Sequence, residues 1–199
     1  MSKQSFDTLV SEIKQCSLCA ASLPLTPRPI FQVSKASKVL IAGQAPGLVT
    51  HDKGRPFDDK SGQRLRKWLG IDETTFYSAE SLALVPMGFC YPGKGKSGDL
   101  PPIPLCADTW RQPLMSHLSQ IKLTVLVGQY AYQWHKKALI SCAMTLTDAT
   151  KHQPFLDEHQ IIVLPHPSPR NNLWLKKNPW FEQDTLPILK QRVADALLR

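Results

Sequence analysis

The sequence predicts an α/β fold, a three-layer α/β/α sandwich around a four-stranded, mainly parallel sheet. Three observations predict it. Short apolar runs at residues 38–42, 82–87, 123–127 and 160–164 are too brief for helices and read as buried strands. Segments of helical period alternate with them, the pattern of a parallel sheet with helices on both faces. The stretch 38–70 joins a strand, a loop rich in glycine and proline, and a helix, which is the junction where open α/β sheets bind ligands.

The elements follow in order. Phe6, Leu9, Val10 and Ile13 recur at helical spacing, so a helix is expected over 5–15. Pro24, Pro27 and Pro29 then impose an extended connection over the surface through residue 37. The first strand ends at Gly43. The loop after it carries Gln44, His51, Asp52, Arg55, Phe57, Asp58 and Asp59, dense chemistry for a connection. A helix starts near Ser61, read as its N-cap, with Leu65, Trp68 and Leu69 on one face. A short helix is expected within 71–78. The second strand stops at Pro86, and a long loop over 88–104 holds Lys94 and Lys96 among glycines. A helix over 105–120 carries Trp110, Leu114 and Leu118, with a break expected at Pro113. The third strand leads into a helix over 130–139. The fourth runs into His166-Pro167-Ser168-Pro169-Arg170-Asn171, and the segment 181–198 is helical. No repeat, low-complexity tract or interdomain linker interrupts the 199 residues, so they are read as one domain.

Charge and cysteine usage narrow the function classes. Lysine and arginine total 24 against 16 acidic residues, a formal charge of +8, which favours polyanions and nucleic acid above all. No apolar stretch reaches membrane-spanning length and the first residues lack a signal-peptide core, so a cytoplasmic, monomeric protein is expected. Five cysteines in such a chain argue against a disulfide framework. Cys16 and Cys19 form a C-x2-C pair, and Cys90 and Cys106 form a second, widely spaced pair. Four thiolates can hold a tetrahedral zinc ion or an iron–sulfur cluster, and spacing alone does not choose. Cys142, in an apolar-leaning stretch, is read as a buried free thiol.

These motifs together resemble the uracil-DNA glycosylase superfamily, and most of all its iron–sulfur branch, often called family 4. That branch carries Gly-Glu-Ala-Pro-Gly followed by Gly-x-Pro-Phe. Here Gly43-Gln44-Ala45-Pro46-Gly47 and Gly54-Arg55-Pro56-Phe57 stand at the same spacing. The cysteine layout Cys16, Cys19, Cys90 and Cys106 fits the branch's ligands for a [4Fe–4S] cluster, with structural zinc as the alternative. A His-Pro-Ser motif after the last strand is shared widely in the superfamily, and the fuller 166–171 motif is similar to the branch selective for single strands. The resemblance implies a hydrolase that excises uracil or a related deaminated base from DNA. It implies Phe57 as a stacking platform and the amides around Gln44 and Ala45 as contacts to the base, which must be turned out of the stack. His166 would stabilise the negative charge of the leaving base. Lys94, Lys96, Ser168, Arg170 and Asn171 would bind the DNA, single-stranded DNA included.

Three departures from the family pattern bear on activity. The catalytic glutamate of the motif is replaced by Gln44, which carries no charge, and the following position is Ala45. Asp59 is the first candidate to supply the missing carboxylate, Asp58 the second, with Asp52 nearby. An asparagine that reads the uracil edge, four residues before the third cysteine, is replaced by Pro86. An acidic stretch of the loop is replaced by Leu48-Val49-Thr50-His51, where His51 is an alternative nucleophile or acid. Trp174 and Trp180, among Lys176 and Lys177, are either a strand-contacting surface or core. Two other readings stay open beside the glycosylase: a non-catalytic or altered-specificity DNA-binding relative, and a metal-thiolate protein without a nucleic-acid role.

Overall fold

The computed structural model describes residues 4–139 and 144–198. Four strands form a wholly parallel sheet: β1 (Val39–Ala42), β2 (Leu82–Leu84), β5 (Leu123–Val127) and β6 (Ile161–Leu164), in the order β2-β1-β5-β6. Register runs Val39 beside Leu82 and Leu123, and Thr124 beside Ile161. A two-stranded hairpin, β3 (Lys94–Gly95) and β4 (Gly98–Asp99), stands apart from it.

The strands are apolar throughout because both faces are covered, as parallel sheets require. Their alternation sorts side chains into two cores. Val39, Ile41, Leu82, Leu84, Val125, Val127, Ile162 and Leu164 point one way. They meet Leu65, Trp68 and Leu69 of α3 (Lys60–Leu69), Phe76 of α4 (Glu73–Phe76), and Leu189 and Val193 of α10 (Leu186–Leu198). Leu40, Ala42, Ala83, Leu126, Ile161 and Val163 point the other way. They meet α1 (Phe6–Lys14), α5 (Pro104–Met115), α6 (Gln129–Leu139) and α7 (Leu146–His152) through Leu9, Ile13, Leu114, Tyr132 and Ala149. This is the three-layer sandwich expected.

Several local expectations are corrected. Asp59, not Ser61, caps α3: its Oδ1 accepts from the Gly62 N–H at 2.8 Å, and Ser61 is buried inside the first turn. The loop after β1 contains a short helix, α2 (Leu48–Lys53), opened by Gly47. Arg28 closes it, donating to the carbonyls of His51 and Asp52 at 2.6 and 3.1 Å. The extended connection before β1 does more than cross the surface. Gln32 exchanges backbone hydrogen bonds with Leu84, so it shields the open edge of β2. The helix expected to reach residue 120 ends at Met115, two residues after Pro113, whose ring removes a helical donor. Two helices in the segment before β6, α7 and α8 (Leu156–His159), had no counterpart in the sequence reading. Cys142 lies outside the described residues.

Candidate active site

The chain leaves β1 for β2 on one side and later enters β5 on the other, so the strand order reverses beside β1. A crevice opens at such a point, outside the carboxyl ends of the strands. Here it is a pocket of about 650 Å³. Residues following all four sheet strands line it: Gln44 and Ala45 after β1, Pro86 after β2, Tyr130 after β5, and His166, Ser168, Arg170 and Asn171 after β6. Phe57 and Asp59 close one side. The β3–β4 hairpin closes another, through Lys96, Ser97 and Asp99.

Phe57 holds its place through an uncommon backbone conformation, with φ of 55° in the left-handed region. Such a bulky residue there stores strain that the surroundings must enforce. The enforcing contact is Gly62, where a Cβ would collide with the Phe57 carbonyl. One edge of the ring rests over Gly43, whose Cβ position lies 3.0 Å from Phe57 Cζ, and Phe76 meets it edge-on at 6.1 Å.

His166 follows β6, with part of its surface in the pocket and protein around the rest. Its Nδ1 accepts from the Ser168 N–H at 3.2 Å, which assigns the ring proton to Nε2. Burial lowers its pKa below the usual histidine value, with the charges of Asp59 and Asp99 pulling the other way. The ring is therefore neutral at pH 7, with one N–H to give. Asn171 Nδ2 donates to the His166 carbonyl at 2.7 Å and fixes the loop. Ser168 spends its hydroxyl on the Arg170 N–H, and its carbonyl accepts from Arg64. These two side chains hold the histidine loop.

The hairpin is tied down at two points. Arg170 donates to the Ser97 carbonyl at 2.7 Å, and Gln44 Nε2 donates to the Leu100 carbonyl at 3.2 Å. The Gln44 carbonyl accepts from the Gly88 N–H, while the N–H groups of Gln44 and Ala45 have no acceptor among the described residues. Lys96 lines the pocket; Lys94 is exposed on β3, away from the lining.

The other candidates separate by position. Asp58 pairs with Lys53 at 3.1 Å, and neither it nor the exposed Asp52 lines the pocket. His51 lies beside Tyr91, ring centroids 6.2 Å apart, also outside the lining. Trp174 and Trp180 are core: both pack on Phe181, and their indole N–H groups donate to Thr147 and Asn178. Asp99, Ser97, Tyr130 and Arg64 were missed by sequence reasoning. No local pattern marks them, since the hairpin and distant loops bring them in.

A second cavity is lined by Cys16, Cys19, Cys90 and Cys106 together, with Trp110 and Phe89. Burial raises the Cys90 and Cys106 thiols to about 11 and about 12, and neighbouring thiols add to it. Trp110 Nε1 donates to Cys16 Sγ at 3.2 Å, and the Phe89 N–H to Cys106 Sγ at 3.4 Å. Arg111, five residues beyond Cys106 on α5, is wholly buried. It donates to the Val85 carbonyl and to His135 Nε2 but meets no carboxylate, and its Nε has no acceptor among the described residues. A buried guanidinium calls for an anion nearby. Four cysteine sulfurs lining one cavity, N–H donors aimed at two of them and a buried guanidinium without a carboxylate partner fit an anionic metal–thiolate group, which would hold the cysteines deprotonated. Among the described residues no three His, Cys, Asp or Glu side chains converge tightly enough for one metal ion.

Ligands enter α/β folds at this place in the sheet, and the pocket's aromatic ring, free backbone donors and neutral histidine suit a planar, hydrogen-bonding ligand. The model of the uracil DNA glycosylase superfamily matches residues 30–190. The chain belongs to that superfamily, and its function is of the uracil-DNA glycosylase type. Cys16 and Cys19 precede the matched segment, whereas the whole pocket lies within it.

Proposed function

We propose that the chain excises uracil, or a related deaminated base, from DNA by hydrolysing the N-glycosidic bond. The neutral His166 carries this reading. With Nδ1 held by the Ser168 N–H, its Nε2–H is available to the negative charge that builds on the departing base. The base would be turned out of its stack against Phe57, with the free N–H groups of Gln44 and Ala45 meeting a pyrimidine carbonyl. Lys96 and Arg170, at the rim, suit phosphate, and the net charge of +8 favours the polyanion. Pro86 offers the base edge no side-chain hydrogen bond, so selectivity among bases is expected to be loose.

The second reading, a binding-only relative, is favoured by Gln44 in place of the family's glutamate. A panel decides: release of uracil, hypoxanthine and xanthine from single- and double-stranded DNA. The proposal expects release from at least one substrate. Salt-dependent binding with no release from any would favour the second reading.

For the cysteines we infer a [4Fe–4S] cluster held by Cys16, Cys19, Cys90 and Cys106. A lone zinc, at about 2.3 Å from each sulfur, needs the four sulfurs about 3.8 Å apart. The shared cavity of the four cysteines does not choose between that zinc and a cluster; the resemblance carries the choice, with structural zinc as the alternative. When bound, such a group would act as a crosslink between the N-terminal segment and the segment after β2. Gly88, in that second segment, donates to the Gln44 carbonyl, so a fixed cysteine loop steadies the base-binding loop.

A further inference from the structure

Cleavage of a glycosidic bond leaves two charges to stabilise. The base takes the electron pair, and the deoxyribose carbon is left electron-poor. His166 serves the base. Position 44, directly after β1, holds an amide, so the sugar needs a carboxylate from another element.

Two carboxylates line the pocket, Asp59 and Asp99. Asp59 commits Oδ1 to the Gly62 N–H as the cap of α3. Asp99 has neither a hydrogen bond nor an ion pair to its carboxylate among the described residues. It ends β4, and its Oδ2 reaches across to the loop after β1, 3.2 Å from the Cβ position of Gly47. The next residue, Leu100, is the one whose carbonyl Gln44 holds. The charges of Asp59 and Asp99 are both felt at His166, that of Asp59 the more strongly. Gln44 and the hairpin therefore form a matched pair: the amide anchors the strand that carries the carboxylate. A glutamate at 44 would instead face the Leu100 carbonyl and add a second negative charge beside Asp99.

We propose that Asp99 is a catalytic carboxylate of this enzyme, brought in by the hairpin to take the place left by Gln44. This rests on the glycosylase reading above. The C1′–N bond breaks with its electron pair passing to the base, which His166 Nε2–H hydrogen-bonds. Asp99 stabilises the positive sugar carbon and accepts a proton from the water whose oxygen forms the new C1′–O bond. That proton then leaves to solvent, from which the base anion is protonated, so the products are an abasic sugar and the free base. Gln44 is a positioning residue.

The test is single-turnover base release with the full chain, on whichever panel substrate the wild type cleaves, with DNA affinity measured alongside. Asp99→Asn is expected to slow release about a hundredfold or more, with affinity changed little. Asp59→Asn, which preserves the cap, should cost far less. Adding Gln44→Glu to Asp99→Asn should recover at least about tenfold, because it returns a charge to the same space; a role in hairpin structure alone predicts no such rescue. Gln44→Glu alone should slow the enzyme. An active wild type with Asp99→Asn at nearly the same rate, or a double variant no faster than Asp99→Asn, overturns the proposal. A wild type that releases nothing from the whole panel removes the glycosylase reading and this proposal with it.

Discussion

A Cβ on Gly62 has nowhere to go, because the Phe57 carbonyl occupies its place. Gly62→Ala must either displace Phe57 from its left-handed conformation or push α3 off the sheet. A loss of roughly 3 kcal/mol is expected from such overpacking, read as a fall in thermal midpoint, and base release should fall further than stability does. Titrating groups make a separate prediction. Burial, with the Arg111 charge beside it, pushes His135 down to about 3, and burial lowers His166 as well. The unfolded chain therefore takes up these protons first, at about pH 6.5, and the fold loses stability as pH drops. For His135 the slope is about 1.4 kcal/mol per pH unit between roughly pH 6 and 3. Melting the wild type and His135→Gln at pH 7.5 and 5 checks this; the variant should show the shallower decline. Residues of this kind were partly legible. His166, Phe57, Gln44 and Ala45 could be found because they sit in contiguous motifs next to strands. Arg111 and His135 could not, since nothing in their neighbours says that both are buried.

At the scale of elements, Asp59 caps α3 at one wall of the pocket and the hairpin brings a second carboxylate, Asp99, to another. Capping is a local matter: Asp59→Ala should cost about 1 kcal/mol, whereas Asp59→Asn, an equally good cap, should cost almost none. Thermal melts of both variants separate the cap from the charge. The hairpin is held from outside by Arg170 and Gln44, so Arg170→Ala should free it. Faster amide exchange confined to 93–100, with slower base release, is the expected result. The strands of the sheet were readable because four apolar runs buried on both faces leave a plain signal. The hairpin was not, because two-residue strands of lysine and glycine carry no period. Ser61 looked like a cap from the same local view. Asp59 took that place two residues earlier, where its carboxylate meets the free N–H of Gly62.

At the scale of the molecule, the parallel sheet gathers one loop from each strand into a single crevice, while the cysteines sit behind it. If they hold an iron–sulfur cluster, anaerobically purified protein is brown, and Cys106→Ala loses both colour and iron. Stoichiometric zinc in colourless protein would contradict that assignment. The parallel, layered sheet was predictable from alternation of strand and helix but its strand order was not, and the convergence of four cysteines far apart in sequence followed from resemblance rather than from spacing. Release of a base in this crevice would turn on His166 stabilising the leaving group. Its most direct test is single-turnover release of uracil by the wild type and by His166→Ala, with DNA affinity measured on the same oligonucleotide. The rate is expected to be lower by about a hundredfold or more in the variant, from loss of one donor to a developing anion, at nearly unchanged affinity. Equal rates, or affinity lost in step with rate, would contradict it.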